Sequence, residues 1–181
     1  EGRKLIRDYN CQGCHIIDGF GGQIAEHYNA PEFAPPNLNT EGAKVQPNWL
    51  FNFFKNPSII RPNLQVRMPT FNMTDEEWNL IIRTFQHWDN NLIAFESEYY
   101  VDQSTTHYKA GNKLHELGAC NNCHFYGTEF PSQSAQTWAP NLALTKDRLQ
   151  PEWVIDWLRD PQSIMPGTKM PAPYLPDTQL L

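Results

Sequence analysis

No apolar run in this 181-residue chain approaches the ~20 residues that a helix needs to cross a bilayer. No initiator methionine and no secretory leader stand at its start. Strand signals are weak throughout, which disfavours a sheet-built fold. Cysteine is scarce, four residues in all. Hydrophobic residues make up 40% and aromatic residues 13%, enough to build a real core. The length suits one or two domains.

All four cysteines fall in two five-residue motifs, Cys11-Gln12-Gly13-Cys14-His15 and Cys120-Asn121-Asn122-Cys123-His124. C-x-x-C-H is an attachment signature for c-type haem. The thiols form thioethers with the haem vinyl groups, and the adjoining histidine becomes the proximal ligand of the iron. A redox dithiol or half of a zinc site also uses C-x-x-C. Neither needs a histidine directly after the second cysteine, and here that occurs twice. With every thiol so used, none is left for a disulfide, a zinc site or a thiol nucleophile. The expected cofactors are two covalently attached haem c groups, on Cys11 and Cys14 and on Cys120 and Cys123, with His15 and His124 on the irons. Such haems are attached outside the cytoplasm. An extracytoplasmic location is therefore expected, periplasmic or at a membrane surface, with an export signal already removed.

The chain also repeats itself. Gly2-x-Lys4-Leu5 precedes Cys11 as Gly111-x-Lys113-Leu114 precedes Cys120, 109 residues later. Ala34-Pro35-Pro36-Asn37-Leu38 matches Trp138-Ala139-Pro140-Asn141-Leu142 at an offset of 104. Pro47-Asn48-Trp49 with Pro151-Glu152-Trp153, Phe53 with Trp157, and Asn56-Pro57 with Asp160-Pro161 keep that offset. Arg67-Met68-Pro69 and Lys169-Met170-Pro171 follow at 102. The first copy's extra length is expected around Gly19 to Gly22. Matches in one order predict two tandem domains, residues 1–88 and 109–181, joined by a connector at 89–108.

Each copy reads as mainly α. A first helix, carrying Leu5 and Ile6 or Leu114 and Leu117, is expected to run into the motif. A second starts at Pro47 or Pro151, with Trp49, Leu50, Phe53 and Phe54 or Trp153, Val154, Trp157 and Leu158 on one face. Pro57 and Pro161 should stop these helices. A third opens on Thr74-Asp75-Glu76-Glu77, a capping box, with Trp78, Ile81, Ile82, Phe85 and Trp88 on one face.

A low-spin haem needs a second axial ligand. Of the four methionines, Met68 and Met170 sit at matched positions and each precedes a proline, whereas Met73 and Met165 have no counterpart. Met68 and Met170 are the expected distal ligands. His27, His87, His107 and His115 do not repeat, and any of them substituting for a methionine would give bis-histidine ligation instead. Trp49, Trp153, Phe53 and Trp157 are expected to wall the haem pockets. Arg61, Arg67 and Lys169 are either partners for haem propionates or solvated charge.

The order C-x-x-C-H, Pro-Asn-Leu, Trp-bearing helix, Met-Pro resembles class I cytochrome c, and Pro166-Gly167-Thr168-Lys169-Met170 is close to that family's methionine loop. The resemblance covers residues 1–88 and 109–176. It implies a tandem dihaem cytochrome that transfers single electrons. It also implies that the carbonyls of Pro36 and Pro140 accept a hydrogen bond from the proximal imidazole, fixing its orientation and basicity.

The net charge is −6. The connector carries Asp89, Glu96, Glu98 and Asp102 with no lysine or arginine, together with Leu92, Ile93, Phe95, Tyr99, Tyr100 and Val101. It reads either as a strap packed on one domain or as an acidic patch for a partner with a basic surface. The expected function is a one-electron relay in a respiratory chain, between a donor and an acceptor protein and within a membrane-associated complex. Nucleic acid is not expected as a partner. The competing readings are a dihaem enzyme, of peroxidase or sulfur-compound dehydrogenase type, and a gas-binding module. Both want a vacant distal position. Finally, no helix body follows Asp177, so a continuation of the chain or another subunit is expected to cover Leu114 and Leu117.

Overall fold

The computed structural model describes residues 1–29, 33–61, 64–92, 104–127 and 139–173. Trp138, the connector residues Ile93, Phe95, Glu96, Glu98, Tyr99, Tyr100, Val101 and Asp102, and the stretch from Asp177 onward lie outside the described residues.

The first helix, α1 (Gly2–Asp8), stops short of the motif instead of running into it. Its end tightens through Tyr9 N–H to the Leu5 carbonyl and Asn10 N–H to the Arg7 carbonyl, both 3.0 Å. Asn10 then takes a left-handed conformation (φ 54°), and α2 (Cys11–Cys14) starts on a new axis. The second motif is entered the same way: after the helix Thr106–Leu117, Ala119 has φ 50° and a 3₁₀ turn spans Cys120–Asn122. A left-handed alanine is sterically costly, so the surrounding geometry imposes the break. Behind the first motif a hairpin of β1 (Ile16–Ile17) and β2 (Phe20–Gly21) occupies the region expected to hold the extra length. Gly21 (φ 93°) has no room for a Cβ, which would collide with the Gln12 carbonyl. The hairpin thereby folds back onto the motif, with Gly22 N–H bonded to Gln12 O at 2.7 Å.

Three further helices complete this half: α3 (Glu41–Lys44), α4 (Pro47–Lys55) and α5 (Asp75–Trp88). Proline at the first position of α4 uses a site whose N–H would be unpaired anyway. The capping box of α5 forms as its sequence predicts. Thr74 Oγ1 accepts from Glu77 N–H (3.2 Å), and the Glu77 carboxylate accepts from Thr74 N–H (2.9 Å). Ile6, Ile17, Val45, Leu50, Phe54, Trp78, Ile81, Ile82 and Phe85 form one buried cluster. Each contributes roughly 1.5–3 kcal/mol by leaving water. Phe54 stacks on Trp78 with centroids 4.7 Å apart. Helix α1 crosses α5 at Gly2, where a Cβ would meet the Leu80 carbonyl at 2.5 Å and collide with Thr84 Oγ1.

The residues just after α5 belong to this same half. The Asp89 carboxylate accepts from Ala43 N–H (3.0 Å), capping α3, and Asn91 Nδ2 donates to the Gly42 carbonyl (3.0 Å). Beyond the connector come α6 (Thr106–Leu117), a 3₁₀ turn at Leu142–Leu144, α7 (Thr145–Arg148), α8 (Pro151–Arg159) and α9 (Pro161–Ile164). Pro161 both stops α8 and opens α9, whose N-cap Asp160 accepts from Ser163 N–H (3.1 Å). No helix among the described residues is long and apolar enough to cross a membrane.

The two halves meet along a seam. Val45 and Leu149 form an antiparallel bridge. Gln46 N–H donates to the Arg148 carbonyl (2.8 Å), and Gln150 N–H donates to the Lys44 carbonyl (2.9 Å). The Gln46 carboxamide donates to the carbonyls of Lys146 (2.7 Å) and Leu149 (2.8 Å), and the Gln150 carboxamide to Val45 (3.3 Å). The Arg148 guanidinium lies over the Trp49 ring (5.2 Å) and the Lys44 ammonium over Trp153 (5.6 Å). Lys44 and Arg148, Val45 and Leu149, Gln46 and Gln150, and Trp49 and Trp153 are each 104 residues apart. The seam therefore relates its two sides by a local two-fold.

Candidate haem-binding sites

Helix α2 sets Cys11 and Cys14 one turn apart, and the chain leaves it at His15 in an extended conformation. His15 Nδ1 lies 2.8 Å from the Pro36 carbonyl. A carbonyl has no proton to give, so Nδ1 donates. In the neutral ring this leaves the Nε2 lone pair free. Burial, opposed by the bond to Pro36, pushes the His15 pKa down, which favours the neutral form a metal ligand needs. Burial also raises the pKa of the Cys11 thiol. Cys11, Cys14, His15, Pro36, Trp49 and Met68 all line one cavity, whose empty space is about 1440 Å³ including its open mouth. Phe53, stacked on Trp49 at 4.9 Å, and Arg61 line it too. Met68 and Met73 pack against the core cluster. Arg67 also lines the cavity; it is exposed and donates to the carbonyls of Leu64 and Val66.

The second motif repeats part of this geometry. Cys120 is half-buried and Cys123 exposed. His124 Nδ1 donates to the Pro140 carbonyl at 2.8 Å, the same distance as in the first half. Trp153 is buried and stacks on Trp157 at 5.0 Å and 14°, matching the 13° of Trp49 and Phe53. Met170 is half-buried, and the Trp157 indole N–H points at its sulfur, 2.8 Å away. Phe53, which holds the place of Trp157 in the first half, has no such donor. Lys169 is exposed.

Three charged residues outside the motifs join the site. Lys44 and Glu41 are buried and paired at 3.2 Å. Arg148 comes from the other half and nevertheless lines the first cavity, beside Arg61, Lys44 and Glu41. Burial is the largest influence on Lys44, Arg61 and Arg148, and lowers the pKa of each. Among the described residues, Arg148 Nε is buried without a hydrogen-bond partner, as is Trp153 Nε1. The sequence carries a signal for two of them: Lys44 and Arg148 share the offset of 104 that joins the neighbouring Pro47 and Pro151.

Two thiols, a neutral imidazole with its outer nitrogen fixed, a thioether and an apolar hollow edged by cations suit a c-type haem. The apolar walls accept the macrocycle, and the unanswered Arg148 Nε–H suits a carboxylate at its edge. Bound there, the group supplies an iron that cycles between ferrous and ferric states. The residues so gathered fit a helical, haem-binding protein.

Residues 1–83 match the family model Cytochrome c. That stretch is similar to a cytochrome c domain, a similarity that implies covalently bound haem c and haem-based electron transfer. The chain is also similar to "Cytochrome c oxidase subunit 2" of Bacillus subtilis (strain 168), 31% identical over 100 residues. The shared stretch is 51% of this chain and 27% of that relative, so the chain spans about a quarter of its length. No solved structure gives a significant match.

Proposed function

We propose that the chain is a dihaem c-type cytochrome, a one-electron relay in an extracytoplasmic respiratory chain that works as a subunit or close partner of a larger redox complex. The observation that carries this reading is the hydrogen bond from the histidine of each C-x-x-C-H motif to a proline carbonyl, 2.8 Å in both halves. The repeat offset and the matched ring pairs support two domains, 1–88 and 109–181, around the connector 89–108. The similarity to a subunit named for cytochrome c oxidase supports the respiratory setting.

In this reading His15 and Met68 bind one iron, and His124 and Met170 the other. Filled distal positions favour relay over a peroxidase, sulfur-compound dehydrogenase or gas-binding role. Histidine/methionine ligation raises the potential, which suits the oxidising end of a chain. Intact mass after acid denaturation should show two haems per chain, and a mass with one or none would refute the reading. Reduced protein should be inert to carbon monoxide. Met68→Ala and Met170→Ala should each open one iron to carbon monoxide and lower one of two potentials. A partner docking on the acidic connector would carry a basic surface. Electron transfer to it should then slow as salt screens the attraction.

A further inference from the structure

Among the described residues, the first cavity is lined by more positive than negative charge. Lys44, Arg61 and Arg148 are gathered around the edge of the first cavity, and each is influenced by the same anion, Glu41. Apart from the exposed Arg67, three buried cations stand against one buried carboxylate, an excess of two positive charges where burial disfavours each cation. Enclosed charge without a counter-ion is costly, by several kcal/mol per group even after relaxation. One donor lining this cavity, Arg148 Nε, is buried and has no hydrogen-bond partner among the described residues. Buried donors of this kind are rare in finished structures and point to a missing acceptor.

We propose that the seam is an anion site for the two propionate carboxylates of the haem on the first motif, and that Arg148, from the other half, is one of its anchors. Haem carries two carboxylates on one edge, which match the excess of two. Arg148 lines the cavity that also contains Cys11, Cys14, His15 and Met68. It is held there by its ring contact with Trp49 and by the backbone ladder on both sides. A planar guanidinium is suited to carboxylate recognition. The consequence is that the first haem's environment is completed by the second half. Arg148 is a positioning and electrostatic residue here, not a ligand of the iron.

The inference rests on the haem assignment of the first motif, and the experiment separates the two. Holoprotein variants Arg148→Gln, Arg148→Lys, Glu41→Gln and, as an exposed control, Arg159→Gln are first weighed for covalent haem. If wild type carries no haem on Cys11 and Cys14, the assignment fails. If haem is present, redox titrations are resolved into components, the first haem being the one that Met68→Ala shifts. Removing a buried positive charge favours the ferric state. Arg148→Gln should therefore lower the first haem's potential, Arg148→Lys should restore most of the shift, and Arg159→Gln should change nothing. Glu41→Gln removes the one internal counter-charge and should move the same potential upward. An unmoved first potential in Arg148→Gln, or equal shifts in the Gln and Lys variants, would overturn the proposal, the latter by showing a packing role. Should Arg148→Gln fail to fold, Glu41→Gln decides: an unchanged or lowered potential overturns it.

Discussion

Between Phe53 and Trp157 a single indole nitrogen separates the two halves. Trp157 donates to the Met170 sulfur, whereas the ring at Phe53 can only pack. A hydrogen bond to a thioether draws electron density from it and weakens it as a donor to ferric iron, so under the dihaem reading, with Met170 on the second iron, the second haem should have the higher potential. Trp157→Phe should lower that potential toward the first, read in the same two-component titration; a rise or no change refutes the assignment. Asp89 gives a second test at this scale. Burial is the first cause of its raised pKa, opposed by hydrogen bonds from the Ala43 and Gly42 N–H groups. A carboxyl with a raised folded-state pKa costs stability while ionised. That cost is relieved as pH falls through the folded value and is gone below the unfolded value near 3.8. Asp89→Asn keeps an acceptor for Ala43 N–H and should be more stable than wild type at pH 7. Its advantage in urea midpoint should shrink toward pH 4. Asp89→Ala removes the cap and should lose about 0.5–2 kcal/mol. Residues with a repeat and a motif, such as His15, Pro36 and Met68, could be picked out beforehand. The shared offset marks Lys44 and Arg148 as a matched pair, but nothing in the sequence marks them or Glu41 as buried, because buried charge looks like surface charge until the chain is folded.

Helices α1 and α6 carry the same Gly-x-Lys-Leu pattern ahead of their motifs but sit in different surroundings. Gly2 is pressed against α5, while a Cβ on Gly111 would have nothing within 4 Å. Helix α6 has no buried residue, and Leu117 is 66% exposed. Gly2→Ala should thus force α1 away from α5 and cost a few kcal/mol, in the range of overpacked cores. Gly111→Ala should gain roughly 0.5–1 kcal/mol from helix propensity alone. Thermal unfolding of the two variants checks both signs; equal effects would mean that both faces are equally packed. The helices themselves were legible wherever local chemistry decides them. The capping box of α5, the N-terminal prolines of α4 and α8, and the proline stops are all local. The left-handed breaks at Asn10 and Ala119 were not, because a helix-forming alanine is overruled there only by the tertiary structure around the motif. The short hairpin behind the first motif was legible as a glycine-rich insertion but not as strands, since each strand has only two residues.

At the scale of the whole molecule the seam sets how the halves behave together. Gln46 spends its carboxamide on two carbonyls of the other half. Gln46→Ala leaves both without that donor and should cost about 1–3 kcal/mol. It should also split unfolding into two steps, seen as divergence between haem absorbance and far-ultraviolet circular dichroism in denaturant; coincident transitions would show that the carboxamide does not couple the halves. The repeat offset was legible in the sequence, but not that residues sharing it would face each other. Correspondence in a repeat says nothing about contact until the fold brings the copies together.

Under the dihaem reading, the seam has the form of an isologous dimer contact enclosed in one polypeptide, each side offering the other the patch it receives. One strand bridge, two carboxamides and two cation–ring contacts are few for partners that must find each other in solution. Covalent linkage removes that demand, because it turns association into an intramolecular step whose effective concentration does not fall on dilution. A single cut in the connector would therefore make the pairing of the halves dependent on dilution, though every contact in the seam was left untouched.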